Sequence, residues 1–320
     1  MNNRWLVILL SLTLALGMFG GLVGCGSNGE SEEPEEPATE EPVVEEPASD
    51  RDAYLISIAD VAADTESFVI IDARAPEAYA AGHLAGAINA PWQTFASVGE
   101  GAPGDPEWGT LLPVDEIGAK LGELGVDTSK TIVVYTDPTG WGEDGRIVWM
   151  LRIVGIDNSL MMDGGYPAWT AAGNEATTDP VTLEATTVEV SDSLSEYNAT
   201  TDELSADLEA FTLIDSRSTK EYEGATDFGE ARGGRIPGAV SIPYPDVFNV
   251  DGTLKSDEEL LALLEGAGVT DKGAENVFYC TKGIRSAHMS LLARMLGYEN
   301  AKNFDASFYT WAGNPDLPVE

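Results

Sequence analysis

Between residues 53 and 320 the chain alternates short, β-rich apolar runs with segments whose apolar residues recur at helical spacing. Thr131-Ile-Val-Val-Tyr135 and Asn276-Val-Phe-Tyr279 read as strands, apolar without alternation and so expected to be buried on both faces. Ser256-Asp-Glu-Glu259 has the spacing of a capping box, and Leu260, Leu261, Leu263 and Leu264 carry a helix on to residue 266. Another helix is expected to open shortly after residue 280 and to run to about Leu296. Helices between buried strands imply largely parallel sheets with right-handed crossovers, which is an α/β fold. Ligands on such sheets collect at the carboxyl ends of the strands. That rule selects two loops, one after Tyr135 and one after Tyr279.

The pattern occurs twice. Phe68-Val-Ile-Ile-Asp-Ala-Arg74 is echoed by Phe211-Thr-Leu-Ile-Asp-Ser-Arg217, and Gly82-His-Leu-Ala-Gly-Ala87 by Gly234-Arg-Ile-Pro-Gly-Ala239. Tyr166-Pro-Ala-Trp169 likewise matches Phe308-Tyr-Thr-Trp311. An offset of about 143 residues is domain duplication and not a solenoid. The expected organisation is a unit over 53–174, a linker over 175–198 that lacks helical periodicity, and a second unit over 199–320.

Upstream the pattern changes. Residues 5–23 follow Arg4 as an apolar run and lead into Gly24 and Cys25. A positive start, an apolar run and small residues before a cut describe a secretory signal over 1–24. Leu22-Val-Gly-Cys25 resembles the bacterial lipobox, whose cysteine becomes the lipidated first residue of the mature protein. The alternative is an uncleaved membrane anchor, since this run is just long enough to span a bilayer. Either way the rest of the chain is expected in the cell envelope, outside the cytoplasmic membrane, with lipidation of Cys25 as its tie to the membrane. Residues 26–52 hold 11 acids, one Arg and repeated prolines. Charge repulsion and proline extend such a segment, so 25–52 is expected to be an acidic Glu/Pro tether.

Charge narrows the partners. Against 17 Lys and Arg stand 55 Asp and Glu, a formal charge of −38, which disfavours nucleic acid and anionic lipid surfaces. Two cysteines, Cys25 and Cys280, build no disulfide framework or Cys-rich zinc site, and two histidines, His83 and His288, suit few metal centres. No cofactor is expected.

The loop after Tyr279 concentrates the chemistry. Cys280-Thr-Lys-Gly-Ile-Arg-Ser286 lies on a strand-to-helix turn, where successive backbone N–H groups can form an anion-binding nest. The helix adds its positive end, and Lys282 and Arg285 add full charges. Each influence favours thiolate over thiol, so the Cys280 pKa is expected below its usual value. A cysteine that ends a strand is often just a small buried apolar residue; Lys, Gly and Arg within one short turn argue against that here. His288 lies about two turns along the helix and is expected to be structural or solvated. In the first unit Thr136 takes the place of Cys280, and Asp137-Pro-Thr-Gly-Trp-Gly-Glu-Asp144 follows with no thiol and three carboxylates. That loop is expected neither to react nor to hold an anion.

Asp-Ala/Ser-Arg after one strand, Gly-x-x-x-Gly-Ala before another and Cys-x-x-Gly-x-Arg-Ser opening a helix together resemble the rhodanese family. The duplication resembles its tandem-domain sulfurtransferases of the thiosulfate and 3-mercaptopyruvate type. The resemblance covers 53–320 and implies two rhodanese-like domains, each a mainly parallel sheet flanked by helices, the first non-catalytic and the second catalytic. It implies that Cys280 accepts a sulfane sulfur as a persulfide and passes it to a thiophilic acceptor such as cyanide or a thiol. Lys282, Arg285 and Arg217, with Thr281, Gly283, Ile284 and Ser286 of the loop, are then the expected substrate-binding residues. Arg217 fits equally well a brace paired to a nearby carboxylate. Arg235 adds positive charge where the first copy has His83. Cys280 to Arg285 is Cys-x4-Arg, one residue shorter than the loop of related phosphatases, which favours sulfur over phosphate. Lys282 suits a divalent anionic donor, so thiosulfate is favoured over 3-mercaptopyruvate. The alternative is a persulfide carrier that serves a protein sulfur acceptor, with little small-molecule turnover.

Overall fold

The computed structural model describes residues 49–99, 101–105 and 107–320. The expected signal segment, Cys25 and the tether as far as residue 48 lie outside the described residues. In the first half, strands β1 (Leu55–Ile56), β2 (Phe68–Asp72), β3 (Ile88–Asn89), β4 (Thr131–Tyr135) and β5 (Ser159–Met162) are joined by helices α1 (Ile58–Ala63), α2 (Pro76–Ala81), α3 (Val114–Glu123) and α4 (Glu143–Ile153), and α5 (Gly165–Ala171) follows. After α6 (Leu194–Tyr197), the second half has β6 (Asn198–Ala199), β7 (Thr212–Asp215), β8 (Val240–Ser241), β9 (Asn276–Tyr279) and β10 (Lys302–Phe304). Its helices are α7 (Thr201–Ala206), α8 (Thr219–Tyr222), α9 (Asp257–Gly266), α10 (Ile284–Met295) and α11 (Ser307–Gly313).

The strands make two five-stranded sheets in the orders β1-β5-β4-β2-β3 and β6-β10-β9-β7-β8. All their pairings are parallel. One order becomes the other on adding five to each strand, which is the sequence duplication in structural form. Local signals set the helix starts. Ser256 caps α9 with Glu259 returning the bond, and Thr200–Glu203 and Ser218–Glu221 form the same box at α7 and α8.

Alternation along each strand sorts side chains to two faces. Val69, Ile71, Ile132 and Val134 point into one core that also holds Ile214, Phe278 and the apolar sides of α4 and α10. Ile70, Val133 and Tyr135 point the other way, into a satellite core of the first unit, while Leu213, Val277 and Tyr279 do so in the second. The two units therefore share their main core. Close approach of α4 to α10 depends on Gly145, where a Cβ would stand 2.4 Å from the Cβ of His288.

Two segments differ from a simple tether and linker. Residues 175–198 are an ordered strap across the first unit: Thr177 bridges His83, and the Thr186 N–H donates to the Gly122 carbonyl. Residues 49–52 are held to the body, since the Asp50 N–H donates to the Met295 carbonyl at 2.8 Å. Arg51 pairs with Asp257 at 2.6 Å and Asp163 at 3.5 Å, one carboxylate from each half. The lone base of an acidic stretch thus moves the start of the folded body upstream of residue 53. No helix among the described residues is long and apolar enough to cross a membrane.

Candidate active site

β9 delivers Cys280 to the carboxyl edge of the second sheet, and α10 begins at Ile284. Gly283 closes the turn between them with a left-handed φ of +72°. Below the loop, Ser307 adopts φ +56°, rare for a residue with a side chain, and its hydroxyl accepts the N–H of Cys280 at 2.9 Å and of Gly283 at 3.1 Å. The carbonyls of Cys280 and Thr281 accept the N–H groups of Phe308 and Tyr309 in α11. The loop is thus stitched to α11, and the Gly283 amide is directed at Ser307 and not at an incoming anion.

Cys280 is the free cysteine among the described residues, and it is buried. Burial pushes its thiol up, but the Arg285 charge, hydrogen bonding from Ser286 and the Lys282 amide outweigh it, leaving the pKa below its ordinary value. The Ser286 hydroxyl donates its proton to Asn303 Oδ1 at 2.6 Å. Arg285 is gripped by Glu221 through two bonds of 2.9 and 2.8 Å, and Thr281 Oγ1 joins both partners. Burial pushes the Glu221 carboxyl up, yet the guanidinium and the Thr281 and Ser218 hydroxyls hold it at about 2. Glu221 therefore stays ionised and fixes Arg285 beside the sulfur.

Lys282 is 4% exposed and lines, together with Cys280, a cavity of about 300 Å³. Burial brings its ammonium down to about 8; Asp305 opposes that fall and Arg146 adds to it. Arg146, from α4 of the first unit, pairs with Asp305 and donates to the Gly283 carbonyl. Ile284 and Tyr309 line the cavity with Phe228, and Trp92, Trp108 and Trp141 enter from the first unit. The site is therefore built by both halves.

Arg217 is not in it. The guanidinium is fully buried, bonded to Asp215 and to the Gly234 carbonyl, and lies 3.9 Å from the Phe308 ring. Arg74 repeats the arrangement with Asp72, the Gly82 carbonyl and Tyr166 in the unit without the thiol. The Asp-x-Arg element is a brace of the fold in both copies, which corrects the expectation of a substrate contact at Arg217. Arg235 pairs with Glu320 at the surface. His288 is buried, its Nδ1 on Asp144 at 3.2 Å between the units. Glu221, Arg146, Asp305 and Ser307 are site-building residues that the sequence reading missed. Of these, Glu221 alone carried a local signal, the Ser218-x-x-Glu221 box. No cluster among the described residues could hold a metal ion.

A rhodanese-like domain model matches residues 57–172 and again 200–314. The chain belongs to the rhodanese family. Among its rhodanese relatives, the thiosulfate sulfurtransferase of Pseudomonas aeruginosa is 31% identical over 265 residues, covering 79% of this chain and 90% of the relative. The sulfur carrier protein TtuD of Thermus thermophilus is 31% identical over 254 residues, covering 75% and 86%. A similar fold is seen in an anaerobic ergothioneine biosynthesis enzyme from Chlorobium limicola, solved with trimethyl histidine, with a TM-score of 0.75, 22% identity and coverage of 85% of this chain and 71% of that one.

Proposed function

We propose that the protein is a sulfurtransferase that carries one sulfur atom at a time on Cys280, with thiosulfate as its donor. The observation that carries this reading is a buried thiol pulled towards thiolate by Arg285, at the floor of a cavity that also presents the Lys282 ammonium. The Cys280 thiolate attacks the outer sulfur of thiosulfate, the S–S bond breaks, and sulfite departs with the bonding pair. The outer sulfur remains as a persulfide, next to the Arg285 charge. Cyanide or a thiolate then attacks that sulfur, and Cys280 leaves as thiolate. Lys282 holds the donor's sulfonate end, while Arg285, committed to Glu221, acts on the sulfur. Steady-state kinetics test the scheme: parallel double-reciprocal lines with thiosulfate and cyanide are expected, with kcat/KM at least about tenfold lower for 3-mercaptopyruvate. Intersecting lines would exclude a free persulfide intermediate. The relative named a sulfur carrier supports a second reading, in which the loaded persulfide waits for a protein acceptor; this version predicts loading without cyanide turnover.

The pH dependence has a definite sign. Lys282 is cationic below about 8 and loses its charge as pH rises through that value. KM for thiosulfate should therefore climb above about pH 8, by about tenfold per pH unit at the limit, while the lowered Cys280 pKa keeps the thiolate available at neutral pH. Lys282→Met should raise KM throughout and abolish the alkaline limb. An alkaline limb that persists in this variant would assign it to another group.

We also propose export and lipidation at Cys25, supported by the Leu22-Val-Gly-Cys25 ending. In cells expressing the full chain, the protein should fractionate with membranes and carry a lipid mass on Cys25, and Cys25→Ala should retain residues 1–24. A mature chain that begins elsewhere and lacks lipid would contradict this.

A further inference from the structure

The cavity above Cys280 is larger and more apolar than its donor requires. At about 300 Å³ it falls in the range of cavities that enclose organic ligands, and an ion the size of thiosulfate leaves most of it unfilled. The floor is charged, but the walls are aromatic. Arg285 is turned to Glu221 and covered by rings, with Trp141 at 5.0 Å and Phe228 at 5.9 Å from its guanidinium. Trp141 and Phe228 meet edge to face at 5.1 Å. Both are strongly exposed for such large apolar side chains, 43% and 37%. Exposed aromatic pairs at the mouth of a cavity are the usual mark of a binding edge.

Trp141 comes from the first unit's thiol-less loop, and that loop is built to hold it. Glu143 accepts the Trp141 N–H at 2.9 Å and the Thr136 hydroxyl at 3.2 Å. Asp137 accepts the Thr139 N–H and hydroxyl, and Gly142 takes the left-handed turn into α4. The carboxylates of this loop thus serve to fix its backbone.

We propose that the sulfur acceptor is an uncharged organic thiol with an aromatic or apolar body, received against the edge-to-face pair that Trp141 of the first unit makes with Phe228 of the second. The inference rests on the persulfide reading above. The acceptor thiol passes its proton to the outer sulfur of the Cys280 persulfide, and the thiolate so formed attacks that sulfur. The inner S–S bond breaks with its electron pair on Cys280, and the acceptor leaves as R–S–SH, with no oxidant or reductant needed. The first unit contributes specificity in this step.

The test uses the full chain in detergent, loaded with thiosulfate and freed of excess donor. Discharge of the persulfide is timed with benzyl mercaptan and with 2-mercaptoethanol, alkyl thiols of similar acidity that differ in apolar body. Benzyl mercaptan should discharge the persulfide at least about tenfold faster per mole, and the ratio should fall towards one in Trp141→Ala/Phe228→Ala, with Trp141→Phe retaining most of it. Equal rates in the native protein, or a ratio unchanged in the double variant, would overturn the inference and leave the persulfide reading standing. Failure of thiosulfate to load any sulfur would overturn both.

Discussion

Glu221→Ala is expected to destabilise the protein by about 3–5 kcal/mol and to abolish sulfur loading, because it leaves the Arg285 charge buried without its partner. Arg285 lies 6% exposed and Glu221 1%, so water cannot replace the lost carboxylate. Glu221→Gln keeps the shape and one acceptor oxygen, and its cost should be smaller. In that variant Arg285 is no longer neutralised, so its pull on the Cys280 thiol should strengthen and thiol reactivity should titrate at lower pH than in the native protein. The carboxyl also carries a pH signature. Its folded-state value of about 2 lies below the ordinary 4.5, so its contribution is present above about 4.5 and is lost as pH falls towards 2. That contribution is roughly 3 kcal/mol. Urea unfolding between pH 5 and pH 2 should show a native-minus-Gln stability difference that shrinks with acid. A difference independent of pH would mean that Glu221 is not ionised against Arg285.

Gly283→Ala is the second large effect. At φ +72° a side chain costs about 1–2 kcal/mol by itself. Here the Cβ would also stand 2.6 Å from the Asp305 carbonyl oxygen and 2.9 Å from its Cα. Asp305 cannot yield, since its carboxylate is paired with Arg146 and accepts the Leu111 N–H. The loop must move instead, breaking the Gly283–Ser307 bond and shifting Lys282 and Arg285 around the sulfur. Loss of about a hundredfold in kcat/KM is expected. Gly268→Ala supplies the control, with φ +89° and open space around its Cβ, and should cost stability with little change in rate. Equal kinetics for the two variants would mean that the loop's tight closure does not matter to its chemistry.

The sequence made the repeating part of this molecule readable. Uninterrupted apolar runs marked β4 and β9, the Ser256 box marked the start of α9, and the duplication foretold two sheets of one topology. The two-residue strands β1, β3, β6 and β8 carry too few positions for any period to show. Site residues divided along similar lines. Cys280, Lys282 and Arg285 sit in one turn and announce themselves, whereas Arg146 and Asp305 meet only because α4 packs beside α10. The sequence leaves Arg217 open between substrate contact and brace, although the unit without a thiol keeps the same pair in Asp72 and Arg74. Trp141 gave no sign: a tryptophan in a loop becomes a cavity wall only when two units close on one another.

The most direct measurement is the intact mass of the full chain before and after thiosulfate, beside Cys280→Ser. A gain of one sulfur atom, removed by cyanide and absent in the variant, is the result expected of a Cys280 persulfide. An unchanged mass with thiosulfate, or the same gain in the Cys280→Ser protein, would contradict it.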